Sequence, residues 1–276
     1  MTQADWVATP DGLHLYARKW LPLNTSDANV VLIHGYGDHS GRYEHFARIL
    51  TGASLAVYTY DQRGFGRSDG RRAYIGRFDQ LLDDLDVFIR HNASDFLQRP
   101  LFLLGQSLGG LVVTRYAQTR QVGLSGLILC SPLLAFPDDV PKILLSLGRY
   151  VAAIAPWLPV SEVNPKEFSH SPEVAQAAEN DPLNYHGKVH ARTGVEMQKA
   201  VAGAFRESAR ITVPFFMAHG SADRVVPISG SRRFFEASAV PDKTLRIYEN
   251  GYHELWHDFD EETLAREICQ WIHQRL

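Results

Sequence analysis

Residues 103–111 read LLGQSLGGL: an apolar run, then a serine with one glycine two places before it and another two places after. The stretch that leads in, LFLLGQS (101–107), is apolar almost without a break, as a strand covered on both faces must be. The stretch that follows, LGGLVVTRYAQ (108–118), is amphipathic with helical spacing. A glycine-flanked serine between a buried strand and a helix fits a sharp strand–turn–helix elbow. There the serine takes a strained backbone conformation, and its hydroxyl stands above the carboxyl end of a sheet. The competing reading is a glycine-rich helix start with an incidental serine.

The segments on either side bear on that choice. Near-continuous apolar character recurs in NVVLIHG (29–35), LAVYTYD (55–61), GLILCSP (126–132), VPFFMAHG (213–220) and TLRIYEN (244–250), which read as strands. RYEHFARIL (42–50), FDQLLDDLDVFIRH (78–91), SGSRRFFEASA (229–239) and LAREICQWIHQRL (264–276) read as helices. Alternating strand and helix predicts an α/β fold, a mostly parallel sheet with helices on both faces. Ahead of it, WVATPDGLHLYARKWLP (6–22) reads as two antiparallel strands joined at Pro10-Asp11-Gly12. The alternation stops between about residues 133 and 208. The first half of that stretch, KILLSLGRYVAAIAPWLPV (142–160), is apolar almost all round but interrupted by Arg149 and Pro156, a marginal pattern for a membrane span. The expectation is an α/β core of 1–132 and 209–276 with a helical cap, 133–208, inserted into it. The apolar faces of that cap would cover a ligand or rest on a membrane surface.

Composition narrows the function. The chain has 276 residues, 45% apolar and 21% charged, enough to bury a sizeable core. A formal net charge of −3 gives no electrostatic reason to expect nucleic acid as a partner. The opening MTQADWVATPDGLHLY lacks a basic stretch followed by an apolar one, so no secretory signal is expected. Cys130 and Cys269 sit in apolar segments and are expected to be buried packing rather than a disulfide, which suits a reducing, cytoplasmic setting. Neither a nucleotide fingerprint nor a metal-ligand spacing appears, so no cofactor and no metal are expected.

A serine hydroxyl is a weak nucleophile and needs a base, which in turn needs an orienting acid. His253, in ENGYHELWH (249–257), follows the last strand on a loop that can reach Ser107; it is the candidate base among the 12 histidines. His34 and His219 also end strands, but each precedes a glycine turn and reads as shaping a loop. Asp223, in HGSADRVVP (219–227), sits in the loop directly after another strand and can accept from the histidine ring. Asp242 comes before a strand, at the wrong end. Asp61 enters the turn DQRGFGRSDG, where pairing with Arg63 or Arg67 is expected. An oxyanion hole needs two N–H donors. Leu108, next after the serine, offers one, and Tyr36, in the loop IHGYGDHSGRYEHF (33–46), offers the other.

Taken together, IHGYGDHSGRYEHFA, YDQRGFGRSDG, GQSLGG, NDPL (180–183), VPFFMAHGSADRVVP and DKTLRIYENGYHELWHD closely resemble monoacylglycerol lipases. These belong to a wider α/β-hydrolase group of lysophospholipases, esterases and serine aminopeptidase-like proteins. The resemblance runs from about residue 5 to 275 and is weakest in the cap. It implies Ser107 as nucleophile, Asp223 and His253 as its partners, and Tyr36 and Leu108 as oxyanion donors. It also implies Arg42 and Asp38 as substrate-binding residues at the glycerol end, and a small lipid or ester as substrate. Two departures stand out: Asp38 replaces a glutamate of the mammalian members, and Trp256 replaces their second histidine. The alternatives are a short-chain carboxylesterase or lysophospholipase, an aminopeptidase using Glu162, Glu167, Glu173 and Glu179 as an anionic patch, and a non-catalytic binding protein.

Overall fold

The computed structural model describes residues 2–120, 123–137, 142–162, 164–258 and 261–276, with side chains 142–147 and 165 outside that description. Strands β1 (Thr2–Ala8) and β2 (His14–Trp20) form the expected hairpin and pair antiparallel from Thr2↔Trp20 to Ala8↔His14. There follow β3 (Ala28–Ile33), helix α1 (Glu44–Gly52), β4 (Leu55–Tyr60), α2 (Asp79–His91), the single turn α3 (Ala93–Phe96), β5 (Leu101–Gln106), α4 (Leu108–Thr119) and β6 (Gly126–Cys130). Between β6 and the next core strand lie α5 (Lys142–Ile154), β7 (Pro159–Ser161), α6 (Pro172–Asn180), β8 (Val189–His190) and α7 (Ala191–Arg206). The core resumes with β9 (Phe215–Gly220), α8 (Ile228–Ala237), β10 (Lys243–Tyr248) and α9 (Glu261–His273).

The main sheet has eight strands in the order β1-β2-β4-β3-β5-β6-β9-β10. The six strands from β4 to β10 run parallel, and β2 joins them antiparallel to β4. Alternate residues of each strand feed opposite layers, as the two-residue period demands. Val31, Ile33, Leu103, Leu127, Leu129, Phe215 and Met217 pack with Leu85, Phe88, Leu111 and Tyr116 of α2 and α4. Val30, Leu32, Phe102, Leu104, Ile128 and Phe216 pack with Phe46 and Leu50 of α1 and Ile268 and Ile272 of α9. Both faces are therefore covered, which is why the strand sequences are apolar without alternation. This is the α/β-hydrolase architecture.

The expected strands overrun the observed ones at their carboxyl ends, for example Gly35 against Ile33 and Ser107 against Gln106. Those residues already belong to turns. The 142–160 segment is not a single helix: α5 stops at Ile154, before Pro156, and β7 follows. Among the described residues no helix is long and apolar enough to cross a membrane. On the core side, α7 is held by the Ile75 N–H donating to Thr193 Oγ1 at 2.9 Å and the Phe78 N–H donating to Glu196 at 3.1 Å. In the same region Tyr150, Ile154, Trp157 and Leu158 are exposed. Cys130 and Cys269 are buried free thiols, and burial pushes the Cys130 thiol up to about 12.

Candidate active site

Ser107 is the single residue between β5 and α4, and its backbone sits at φ 51°, ψ −117°. For a residue with a Cβ this is a sparsely populated, strained conformation. It is held from three sides: the Ser107 N–H donates to the Cys130 carbonyl at 3.0 Å, and its own carbonyl accepts from Leu133 at 2.9 Å and Leu111 at 3.2 Å. The flanking glycines are required by close approach rather than by turn geometry. A Cβ on Gly105 would run into the Gly109 carbonyl, and one on Gly109 into the carbonyls of Ile33 and His34. Leu108 opens α4, so its N–H belongs to the first turn, whose N–H groups have no intrahelical carbonyl partner and carry the positive end of the helix dipole.

The loop after β3 packs directly on this elbow. A Cβ on Gly35 would meet the Gln106 side chain and come within 3.4 Å of Ser107 Cβ, which places the Gly35–Tyr36 peptide beside the serine. Buried His34 braces that peptide. Its Nδ1 lies 2.7 Å from the Gly35 carbonyl, and its Nε2 lies 2.8 Å from the Gln62 N–H. A carbonyl on one side and a donor on the other put the hydrogen on Nδ1. Burial lowers the proton affinity of this ring, in keeping with the neutral form. Tyr36 anchors its own side chain away from the backbone, donating from its hydroxyl to Ala73 at 3.1 Å and stacking edge-on against Phe65.

Asp223 and His253 meet across two neighbouring loops. Asp223 Oδ2 accepts from His253 Nδ1 at 2.8 Å, and Oδ1 accepts from the N–H groups of Val225 at 2.8 Å and Val226 at 2.9 Å. Both side chains are buried. Burial alone would raise the Asp223 pKa, but the charge of His253 and the hydrogen bonds from His219 and His253 outweigh it and hold the carboxyl well below its usual range. Burial alone would lower the His253 pKa. The charge and hydrogen bond of Asp223 outweigh that too, so the ring titrates above 6.5. The two loops are fastened where Gly220 passes Gly251 and Tyr252, whose carbonyls leave no room for a Cβ.

Arg42 and Asp38 are together, but their polar atoms face the protein. Arg42 forms a two-pronged pair with Glu254, Nη1 to Oε1 at 2.8 Å and Nη2 to Oε2 at 2.7 Å. Asp38 lies 3.4 Å from Arg42 Nη1 and accepts the Tyr43 hydroxyl at 2.7 Å, while His257 Nδ1 lies 2.9 Å from Glu254. Trp256 is in the core, its ring against those of Tyr43 and Phe46. The turn after β4 also differs from expectation. Asp61 accepts the backbone N–H of Ser40 at 2.7 Å and of Arg67 at 2.8 Å, and Arg63 pairs instead with Asp84 and Asp11. Asp61 is buried between these two backbone donors, while the Arg63 guanidinium is already held by the two other carboxylates. Of the four glutamates weighed as an anionic patch, Glu162 faces Lys188 at 3.4 Å and Glu173 accepts the Ser171 hydroxyl at 2.7 Å. Sequence reading passed over Glu254 and the contact of His219 with Asp223. For His219 the available signal was its spacing of four before Asp223; for Glu254 it was a carboxylate directly after His253.

The Hydrolase_4 family, described as serine aminopeptidase, S33, matches residues 24–260. Over 272 residues the chain is 33% identical to monoglyceride lipase of Homo sapiens, covering 98% of this chain and 90% of that one. It is 30% identical to monoacylglycerol lipase of Mycolicibacterium smegmatis over 265 residues, 96% and 95% of the two chains. The crystal structure of Paleococcus ferrophilus monoacylglycerol lipase superposes with a TM-score of 0.86 at 34% identity, over 95% of this chain and 99% of that one. The protein thus belongs to the serine aminopeptidase S33 family of α/β-hydrolases, in its monoacylglycerol lipase-like branch, and is a carboxylic ester hydrolase.

Proposed function

We propose that the chain hydrolyses monoacylglycerols to fatty acid and glycerol through Ser107, His253 and Asp223. The observation that best supports this is the placement of Ser107. It is held at positive φ beside the Gly35–Tyr36 peptide, while Asp223 fixes the ring of His253 on an adjoining loop. His253 takes the Ser107 proton as Oγ attacks the ester carbonyl. The N–H groups of Tyr36 and Leu108 receive the developing oxyanion, each such donor being worth about 3 kcal/mol in the transition state. The glycerol leaves with the proton from His253, and water, activated by the same ring, then releases the acid. Residues 133–208 form a cap that lines the acyl path, and the exposed Tyr150, Ile154, Trp157 and Leu158 rest on a membrane surface.

A second reading, a general short-chain carboxylesterase, is favoured by one observation: Arg42 and Asp38 engage Glu254 and Tyr43, so their polar groups are already partnered. The experiment is a series of kcat/KM values on monoacylglycerols of rising chain length, short esters and an aminoacyl-anilide. At about 0.8 kcal/mol per buried methylene, each added pair of carbons raises kcat/KM by up to about 15-fold if an acyl path exists. A profile that favours short esters selects the second reading, and dominant anilide turnover overturns both. Sedimentation with anionic and neutral vesicles, comparing wild type with Ile154→Ser/Trp157→Ser, tests the membrane contact.

A further inference from the structure

Asp223 receives a second imidazole. His219, the penultimate residue of β9, is fully buried, and its Nε2 lies 3.1 Å from Asp223 Oδ2, the same oxygen that His253 approaches at 2.8 Å. That Nε2 is also 3.0 Å from the Val226 carbonyl. Both neighbours are acceptors, so the hydrogen sits on Nε2 and is shared between them. The other ring nitrogen, Nδ1, faces the Ser231 hydroxyl of α8 at 2.7 Å. In the neutral ring Ser231 donates to Nδ1, which strengthens Nε2 as a donor. A single line of polar contacts thus runs from Ser231 through His219 and Asp223 to His253; Oδ1 of the carboxylate accepts two backbone N–H groups, and Oδ2 faces both imidazoles.

From this geometry we infer that His219, oriented by Ser231, is a positioning residue for the proposed reaction: it shares the Asp223 oxygen that holds His253 and so sets how strongly that oxygen accepts from the ring. The inference rests on the assignment of Asp223 and His253 proposed above. A residue that only held the loop would make a different signature from one that shares this oxygen. If His219 shares it, removing its N–H leaves Asp223 a stronger acceptor toward His253, and the His253 imidazolium becomes more stable. If His219 only holds the loop, its removal lets Asp223 drift and the imidazolium becomes less stable. Besides Asp223, the charged group acting on His253 among the described residues is Glu254, adjacent in sequence and held in turn by Arg42 and His257. None of them contacts His219, so they stay constant across the variants.

The test is the pH dependence of kcat/KM on a soluble short ester for wild type, His219→Leu, His219→Gln and Ser231→Ala. We expect His219→Leu to move the acid limb upward by about half a pH unit at nearly constant KM. His219→Gln, whose amide N–H reaches about as far as Nε2, restores most of the shift. Ser231→Ala moves the limb the same way by less, and it carries the test alone should His219→Leu not fold. A limb that stays put, or moves downward, overturns the inference. Ser107→Ala and Asp223→Asn run beside these: if they retain turnover, the assignment of the site is what has failed, whereas inactive controls with unmoved His219 variants refute only the inference.

Discussion

Breaking the Arg42–Glu254 pair should cost more than removing it whole. The two side chains are 11% and 4% exposed and meet through two hydrogen bonds of 2.8 and 2.7 Å, so little solvent screens them. Replacing Arg42 with Met leaves the Glu254 carboxylate buried with only His257 beside it, and such an uncompensated charge costs about 3–5 kcal/mol. At roughly 2 °C per kcal/mol for a chain of this size, the melting temperature falls by roughly 6–10 °C. The double variant Arg42→Met/Glu254→Leu removes the pair and keeps the volume but leaves Asp38 with the Tyr43 hydroxyl and the His39 N–H as its partners, so it should melt above the single variant and within roughly 4 °C of wild type. Thermal unfolding of the three proteins at one pH makes the comparison. Burial alone would raise the Glu254 pKa; the charge of Arg42, with hydrogen bonds from His257 and Arg42, holds it far below its unfolded 4.5. A depressed carboxylate contributes stability that is present above 4.5 and is lost as the pH falls toward the folded value. Wild type should therefore lose more melting temperature than the double variant between about pH 4.5 and pH 3. A single Arg42→Met variant that melts with wild type, or a double variant that falls as far as the single, would refute the reasoning.

Two further outcomes follow from the site. Ser107→Ala should lower kcat by about 10⁶ and Asp223→Asn by about 10⁴, each with melting temperature little changed, read from ester turnover and reactivity toward a fluorophosphonate probe. Because Asp223 raises the proton affinity of His253 in spite of burial, the acid limb of kcat/KM should have its midpoint above 6.5; a midpoint below that value would mean the pair does not form in solution.

The sequence made the elbow legible because three independent local constraints coincide there: a strand apolar on both faces, a serine, and glycines that α4 needs in order to lie against β5 and β3. His253 and Asp223 were legible for a related reason, each being the polar residue of suitable chemistry just past a strand end. The Arg42–Glu254 pair was not, because its partners are 212 positions apart in sequence and nothing in either local pattern names the other. The same holds for Asp61, whose partners are backbone N–H groups that no side-chain pattern displays. The short pairing of β7 with β8 also escaped, since two- and three-residue strands have no measurable period.

These two kinds of information meet in the glycines. Gly109 lets the elbow lie on the carbonyls of Ile33 and His34, and Gly220 lets the Asp223 loop lie on those of Gly251 and Tyr252. Each is a place where one site-bearing segment rests on the backbone of another, at a separation that no other residue tolerates. The catalytic side chains of the proposal are thus carried on loops that touch through main chain, so their spacing depends little on flexible side-chain packing. Precision of this sort is what acyl transfer asks for, since displacements of about an ångström cost on the order of 100-fold in rate. The buried pairs behind the site, Arg42 with Glu254 and His219 with Asp223, then set the charge and orientation of groups whose position the glycines have already fixed.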